Sequence, residues 1–129
     1  MIPKYRAWDK VFKEMVQVNA LVFDEQVIKV TYKNGNIAKE DVKEYVLMQS
    51  TSLKDKNGKE IFEGDILAFE TDEGILNVNI FWDNKHALFM FESKKYNEEE
   101  LLAELVENNT YPFEIIGNIY ENQELLEVE

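Results

Sequence analysis

Apolar and polar residues alternate most regularly between Leu76 and Trp82. There Leu76, Val78, Ile80 and Trp82 share one face of an extended chain, and Asn77 and Asn79 share the other. A period of two predicts a half-buried antiparallel strand, with its register fixed because a one-residue slip would bury both asparagines. Ile66 to Thr71 and Ala87 to Glu92 read as its neighbours, reached through Asp72-Glu73-Gly74 and Asp83-Asn84-Lys85-His86. Three meandering strands after a sharp corner at Glu63-Gly64-Asp65 predict a small, strongly bent sheet of the SH3-like barrel kind.

Upstream, Lys4 to Asp9 alternates like a short strand. Met15 to Phe23 and Val27 to Tyr32 predict a hairpin across Asp24-Glu25-Gln26. Asn34-Gly35 and Asn57-Gly58 are turn dipeptides, since both residue types tolerate positive φ. The first leads to a weak strand at Asn36–Ala38, a charged connection over 39–44 and a short buried strand, Tyr45–Met48. One segment has another period. Leu101, Leu102, Leu105 and Val106 make an i, i+1, i+4, i+5 stripe after Asn97 and Glu98-Glu99-Glu100, so an amphipathic helix over about 97–107 is expected, capped by Asn97. A last strand, Phe113 to Tyr120, follows Tyr111-Pro112. Glu121 to Glu129 reads as a turn of helix or a frayed tail. The expected class is mainly β: one domain over 1–129, with N-terminal strands in 1–48 and a barrel-like sheet with the inserted helix in 53–120.

A 45% hydrophobic fraction is enough for a packed core, which excludes wholesale disorder. The absence of cysteine removes disulfides, thiolate metal sites and cysteine nucleophiles, and suits a reducing cytoplasm. No secretory leader or membrane-spanning run is legible, so a soluble, cytoplasmic protein is the expectation, with Asn108-Asn109-Thr110 a chance match to the glycosylation pattern. With 14 basic against 26 acidic residues, a net charge of -12 opposes binding to a nucleic-acid backbone. Lys54, Lys56 and Lys59 crowd one turn and read as a solvated hairpin tip.

Candidate chemistry is sparse. His86, the single histidine, lies beside Asp83 and could form an acid–base pair, though a histidine in a charged turn is usually only solvated. Glu63, Asp65, Asp72 and Glu73 offer oxygen ligands, but without the spacing of a calcium loop they serve turns. There is no phosphate-cradling glycine loop and no serine placed for activation by histidine. No catalytic, cofactor or metal residues are assigned. Aromatic residues on the sheet are better candidates: Phe81, Phe89 and Phe91 are the expected interaction surface, while Asn57, Gly58, Gly64 and Asp65 are structural turn residues. Phe89 and Phe91 share one face of their strand and Leu88 and Met90 the other. Both sides therefore need cover, from the Leu101–Val106 helix or from another molecule.

Three blocks carry a resemblance. Lys4-Tyr5-Arg6-Ala7-Trp8-Asp9, the run from Met48 to Ile66 that includes Ser52-Leu53-Lys54-Asp55-Lys56-Asn57-Gly58 and Glu63-Gly64-Asp65, and Ile115-Ile116-Gly117-Asn118-Ile119-Tyr120-Glu121-Asn122 together resemble the YopX family of phage and prophage proteins. One departure is Ser52, where family members often carry glycine. The resemblance implies a β-rich, barrel-containing fold with no established activity and no active-site residues to carry over. The expected function is a non-enzymatic phage or prophage accessory protein in the bacterial host cytoplasm. It is expected as a binding or interaction module that assembles as a homo-oligomer and has a host or phage protein as a further candidate partner. The alternatives are an acidic regulator that imitates DNA before host DNA-binding proteins, and a small enzyme using His86 and Asp83.

Overall fold

Strand β1 (Tyr5–Asp9) is paired on both edges, with β2 (Glu14–Val22) and with β5 (Tyr45–Lys54), both antiparallel. The computed structural model describes residues 4–105, apart from the Leu105 side chain, and 113–127. The chain divides into two units, Met1–Ser50 and Thr51–Glu129. In the first, β3 (Val27–Thr31) and β4 (Ile37–Asp41) complete the order β4-β3-β2-β1-β5. The charged stretch expected as a connection is therefore partly strand, and only Val42–Glu44 is a 3₁₀ turn. Ala7, Val16, Ile28, Val30 and Tyr45 form the core of this unit. Each large apolar side chain buried there is worth about 1.5–3 kcal/mol.

Strand β5 continues past Ser50, and β6 (Glu60–Phe62) follows it in the sheet order. The second unit is otherwise a five-stranded antiparallel sheet of β7 (Asp65–Thr71), β8 (Gly74–Asp83), β9 (Leu88–Ser93), β10 (Glu98–Leu101) and β11 (Phe113–Asn118), in the order β10-β9-β8-β7-β11. Its core is Ile61, Leu67, Val78, Ile80, Phe91, Leu102 and Phe113. Val78 and Ile80 face inward, as the alternation requires.

Two turns hold this sheet at its corner. Gly64 has φ +85, donates its N–H to the Ile80 carbonyl and accepts from the Ile119 N–H, each at 2.8 Å. Asp65 is buried and accepts the Phe62 N–H at 2.8 Å. Asp55, 2% exposed, accepts three backbone N–H groups, from Asn57 and Lys59 at 2.9 Å and from Ile115 at 3.0 Å. Its turn, with Gly58 at φ +80, thereby covers the outer edge of β11. Burial pushes the Asp55 carboxyl up, but the N–H groups of Ile115, Lys59 and Asn57 outweigh it and hold it below its ordinary value.

Three expectations are corrected. The sheet ends in two edge strands, β10 and β11, and does not close into an SH3-like barrel. The helix expected over 97–107 is strand β10 followed by a 3₁₀ turn, Leu102–Leu105, and the rest of the span lies outside the described residues. Asn97 takes φ +52 as a turn residue instead of capping a helix. A three-turn helix is marginal alone, whereas β9 offers an open edge only a few residues upstream. Nor does the asparagine face meet solvent. Asn79 is buried, and Asn77 donates its amide to the Leu125 carbonyl at 3.0 Å, because the 3₁₀ turn Gln123–Leu126 folds over that side of β8. Among the described residues, no helix is long and apolar enough to cross a membrane.

Candidate interaction surface

Pairing between β8 and β9 sets the aromatic positions. Ile80 lies opposite Phe91, Phe81 opposite Met90 and Trp82 opposite Phe89, so successive pairs alternate between the two faces of the sheet. Phe91 is a core residue, 5% exposed, with its ring edge-on to Phe69 at 6.4 Å. Phe89 packs against the same core and against Trp82, with ring centroids 4.8 Å apart. The expected surface of Phe81, Phe89 and Phe91 is thus broken up: the alternation that buries Ile80 buries Phe91 with it. Phe81 remains half-buried on the other face.

His86 and Asp83 do meet, Nδ1 to Oδ2 at 2.8 Å, on a turn where the histidine side chain is 62% exposed. The hydrogen bond from His86 is the main cause holding Asp83 below its ordinary value. Of the carboxylates weighed as ligands, Asp65 serves its own turn and Glu73 accepts the Tyr96 hydroxyl at 2.7 Å.

The best organised exposed feature lies elsewhere, in the turn between β1 and β2. Val11 is 63% exposed and Phe12 71%, two adjacent apolar residues facing water. Isolated exposed apolar residues such as Phe23 or Ile37 are ordinary. This pair differs because its backbone is fixed. Asp9 Oδ1 accepts the N–H groups of Val11 at 2.8 Å and Phe12 at 3.0 Å, and the Asp9 carbonyl accepts the Lys13 N–H at 3.0 Å. An aspartate binding backbone two and three residues ahead is the favoured chemistry of such a turn. Lys13 takes φ +58 to close it, and Lys10 ties the other side, donating its N–H to the Glu44 carbonyl at 3.1 Å and its ammonium to the Lys43 carbonyl at 2.9 Å.

Asp9 is itself held from beneath. It is 2% exposed, and its Oδ2 accepts the Tyr32 hydroxyl at 2.6 Å. The Tyr32 and Tyr45 hydroxyls are 2.7 Å apart, and Tyr45 donates weakly to Glu40 at 3.3 Å. Phe12 rests its ring edge-on to Tyr32, with centroids 6.5 Å apart. Burial pushes the Asp9 carboxyl up, but the Tyr32 hydroxyl and the Phe12 and Val11 N–H groups outweigh it and hold the group below its ordinary value. Burial, then the bonds to Asp9 and Tyr45, carry Tyr32 far above the phenol range, and burial is the main cause raising Tyr45. Both phenols keep their protons near neutral pH and serve as donors that fix the loop.

Sequence reading missed Val11 and Phe12. The available signal was an aspartate ending a strand, followed two residues later by an apolar pair in a polar connection.

Known proteins now give the chain a place. The family described as YopX protein matches over residues 4–127. The crystal structure of protein EF1440 from Enterococcus faecalis is 32% identical, with a TM-score of 0.71 over 98% of this chain and 99% of that one. The structure of protein yopX from Bacillus subtilis shares the fold at 20% identity, with a TM-score of 0.59 over 95% of this chain and 97% of that one. No curated protein matches. On the family match and the EF1440 likeness, the chain belongs to the YopX family.

Proposed function

We propose that this protein is a non-enzymatic interaction module, an accessory protein of phage or prophage origin, which engages a protein partner through the Lys10–Lys13 turn. One observation carries the reading: two adjacent, exposed apolar side chains stand on a backbone whose N–H groups are all committed, that of Lys10 to Glu44 and those of Val11, Phe12 and Lys13 to Asp9. A fixed loop loses little freedom on binding, and ordering a loose side chain would cost about 0.5–1.5 kcal/mol. Burying a phenylalanine in a partner returns about 1.5–3 kcal/mol. The pairing of His86 with Asp83 supports an enzyme less well, because it sits on an open turn. DNA mimicry through Glu98, Glu99 and Glu100 is also less well supported: on strand β10 alternate side chains point to opposite faces, which leaves no continuous carboxylate row.

Photo-crosslinking in the host cell tests the proposal. A photoreactive phenylalanine at position 12 should give a discrete adduct that the same group at position 34, in a neighbouring exposed turn, does not give. Identical adduct patterns from both positions would overturn it.

A further inference from the structure

We infer that the partner of the turn is a second copy of this chain, which receives Val11 and Phe12 in the cleft beside Ile75. The inference rests on the reading of Lys10–Lys13 as a recognition element. The cleft lies in the second unit, has a volume of about 360 Å³, and is bordered by Lys56, Ala68, Phe69, Glu70, Ile75 and Glu114. Its apolar wall includes Ile75, which is 68% exposed at the start of β8. Two exposed apolar features, a protruding turn and a hollow, thus exist on the same chain, and docking one in the other removes both from water.

Charge favours the same match. The chain carries a net charge of -12, yet residues 10–13 are Lys-Val-Phe-Lys, with both lysines exposed and no acid between them. The cleft border has the opposite sign in excess. Lys56 is already 3.7 Å from the Glu114 carboxylate, which leaves the exposed Glu70 to meet Lys13 of the incoming turn. Each copy both offers a turn and presents a cleft, so two copies can exchange turns in a closed dimer or link head-to-tail into rings or short chains. A contact this small is expected to bind with micromolar affinity or weaker.

Sedimentation of the full chain tests this. The wild-type mass should rise above 15.2 kDa between about 10 μM and 1 mM. Phe12→Asp and Ile75→Asp should each remain monomeric and folded; Ile75→Asp should keep the wild-type melting temperature because the position faces water, and Phe12→Asp should lose only a little of it with the edge-on contact to Tyr32. Mixed together, these two variants should form a 1:1 complex that grows no further, since one keeps an intact cleft and the other an intact turn. Glu70→Lys should weaken wild-type association, and adding Lys13→Glu should restore it. A wild-type monomer throughout that range overturns the inference, as does an associating wild type whose two variants fail to combine. A position-12 adduct with a different protein would also overturn it, while leaving the interaction module standing.

Discussion

The Tyr32 hydroxyl donates to the Asp9 carboxylate across 2.6 Å, and the same carboxylate holds the Val11 and Phe12 backbone from its other oxygen. A residue of β1 and the residue that follows β3 thereby set the shape of an exposed turn between β1 and β2. Tyr32→Phe keeps the ring under Phe12 and removes only the donor. It should destabilise the protein by about 1.5–3 kcal/mol, the range for a hydrogen bond to a charged group. Urea unfolding at pH 7 measures it; an unchanged midpoint would mean that the hydroxyl does not hold Asp9.

Acid should weaken both units. Asp9 and Asp55 each have a carboxyl held below the ordinary value in the folded protein. A lowered folded-state pKa contributes stability that is present above the unfolded value, near 3.9, and is lost as pH falls through the folded one. Stability should therefore drop below about pH 4, and Asp9→Asn combined with Asp55→Asn should flatten that drop while lowering stability at pH 7. Thermal melts from pH 7 to pH 2.5 report it. An equally steep acid loss in the double variant would place the titrating groups elsewhere.

At the corner before β7, Gly64→Val should cost at least about 1 kcal/mol, because φ +85 is a conformation that β-branched residues resist. The backbone cannot rotate away without giving up the bonds to Ile80 and Ile119. A melting temperature equal to wild type would show the corner to be compliant.

Gly117 has a different constraint. A Cβ there would lie 2.5 Å from Asn122 Oδ1, an oxygen that accepts the Asn118 N–H at 3.2 Å. Gly117 also sits at a register shift between β11 and β7. Gly117→Ala should destabilise by about 1–2 kcal/mol, and adding Asn122→Ala should recover part of that by removing the clash. Strictly additive losses in the double variant would contradict the contact.

The sequence made the local patterns legible and the long-range ones not. Val78 and Ile80 line the core because a strand's side chains alternate whatever lies nearby. Asn77 and Asn79 occupy the expected face, but its cover is the turn at Leu125, 48 residues away in sequence, which no local period can announce. Leu101 and Leu102 share a helical stripe by spacing alone; pairing of Glu100 with Phe91 and of Leu101 with Met90 decided in favour of a strand that ends before Leu102. Ser52 takes φ +66, a left-handed backbone that glycine adopts freely and that a serine in a strand pattern does not announce. The held turn was invisible because Asp9 reads as the end of a strand, and its grip depends on Tyr32, which follows β3, 23 residues away in sequence.

Hydrogen–deuterium exchange at pH 7, read at the Val11 and Phe12 amides, tests the held turn most directly. Bonded to Asp9, these two amides should exchange on the order of tenfold or more slowly than those of Asp24 and Glu25 in the next turn, and Asp9→Ala should abolish the difference. Equal exchange in the wild type would mean that Val11 and Phe12 sit on a loose loop, and a rigid recognition element there would be ruled out.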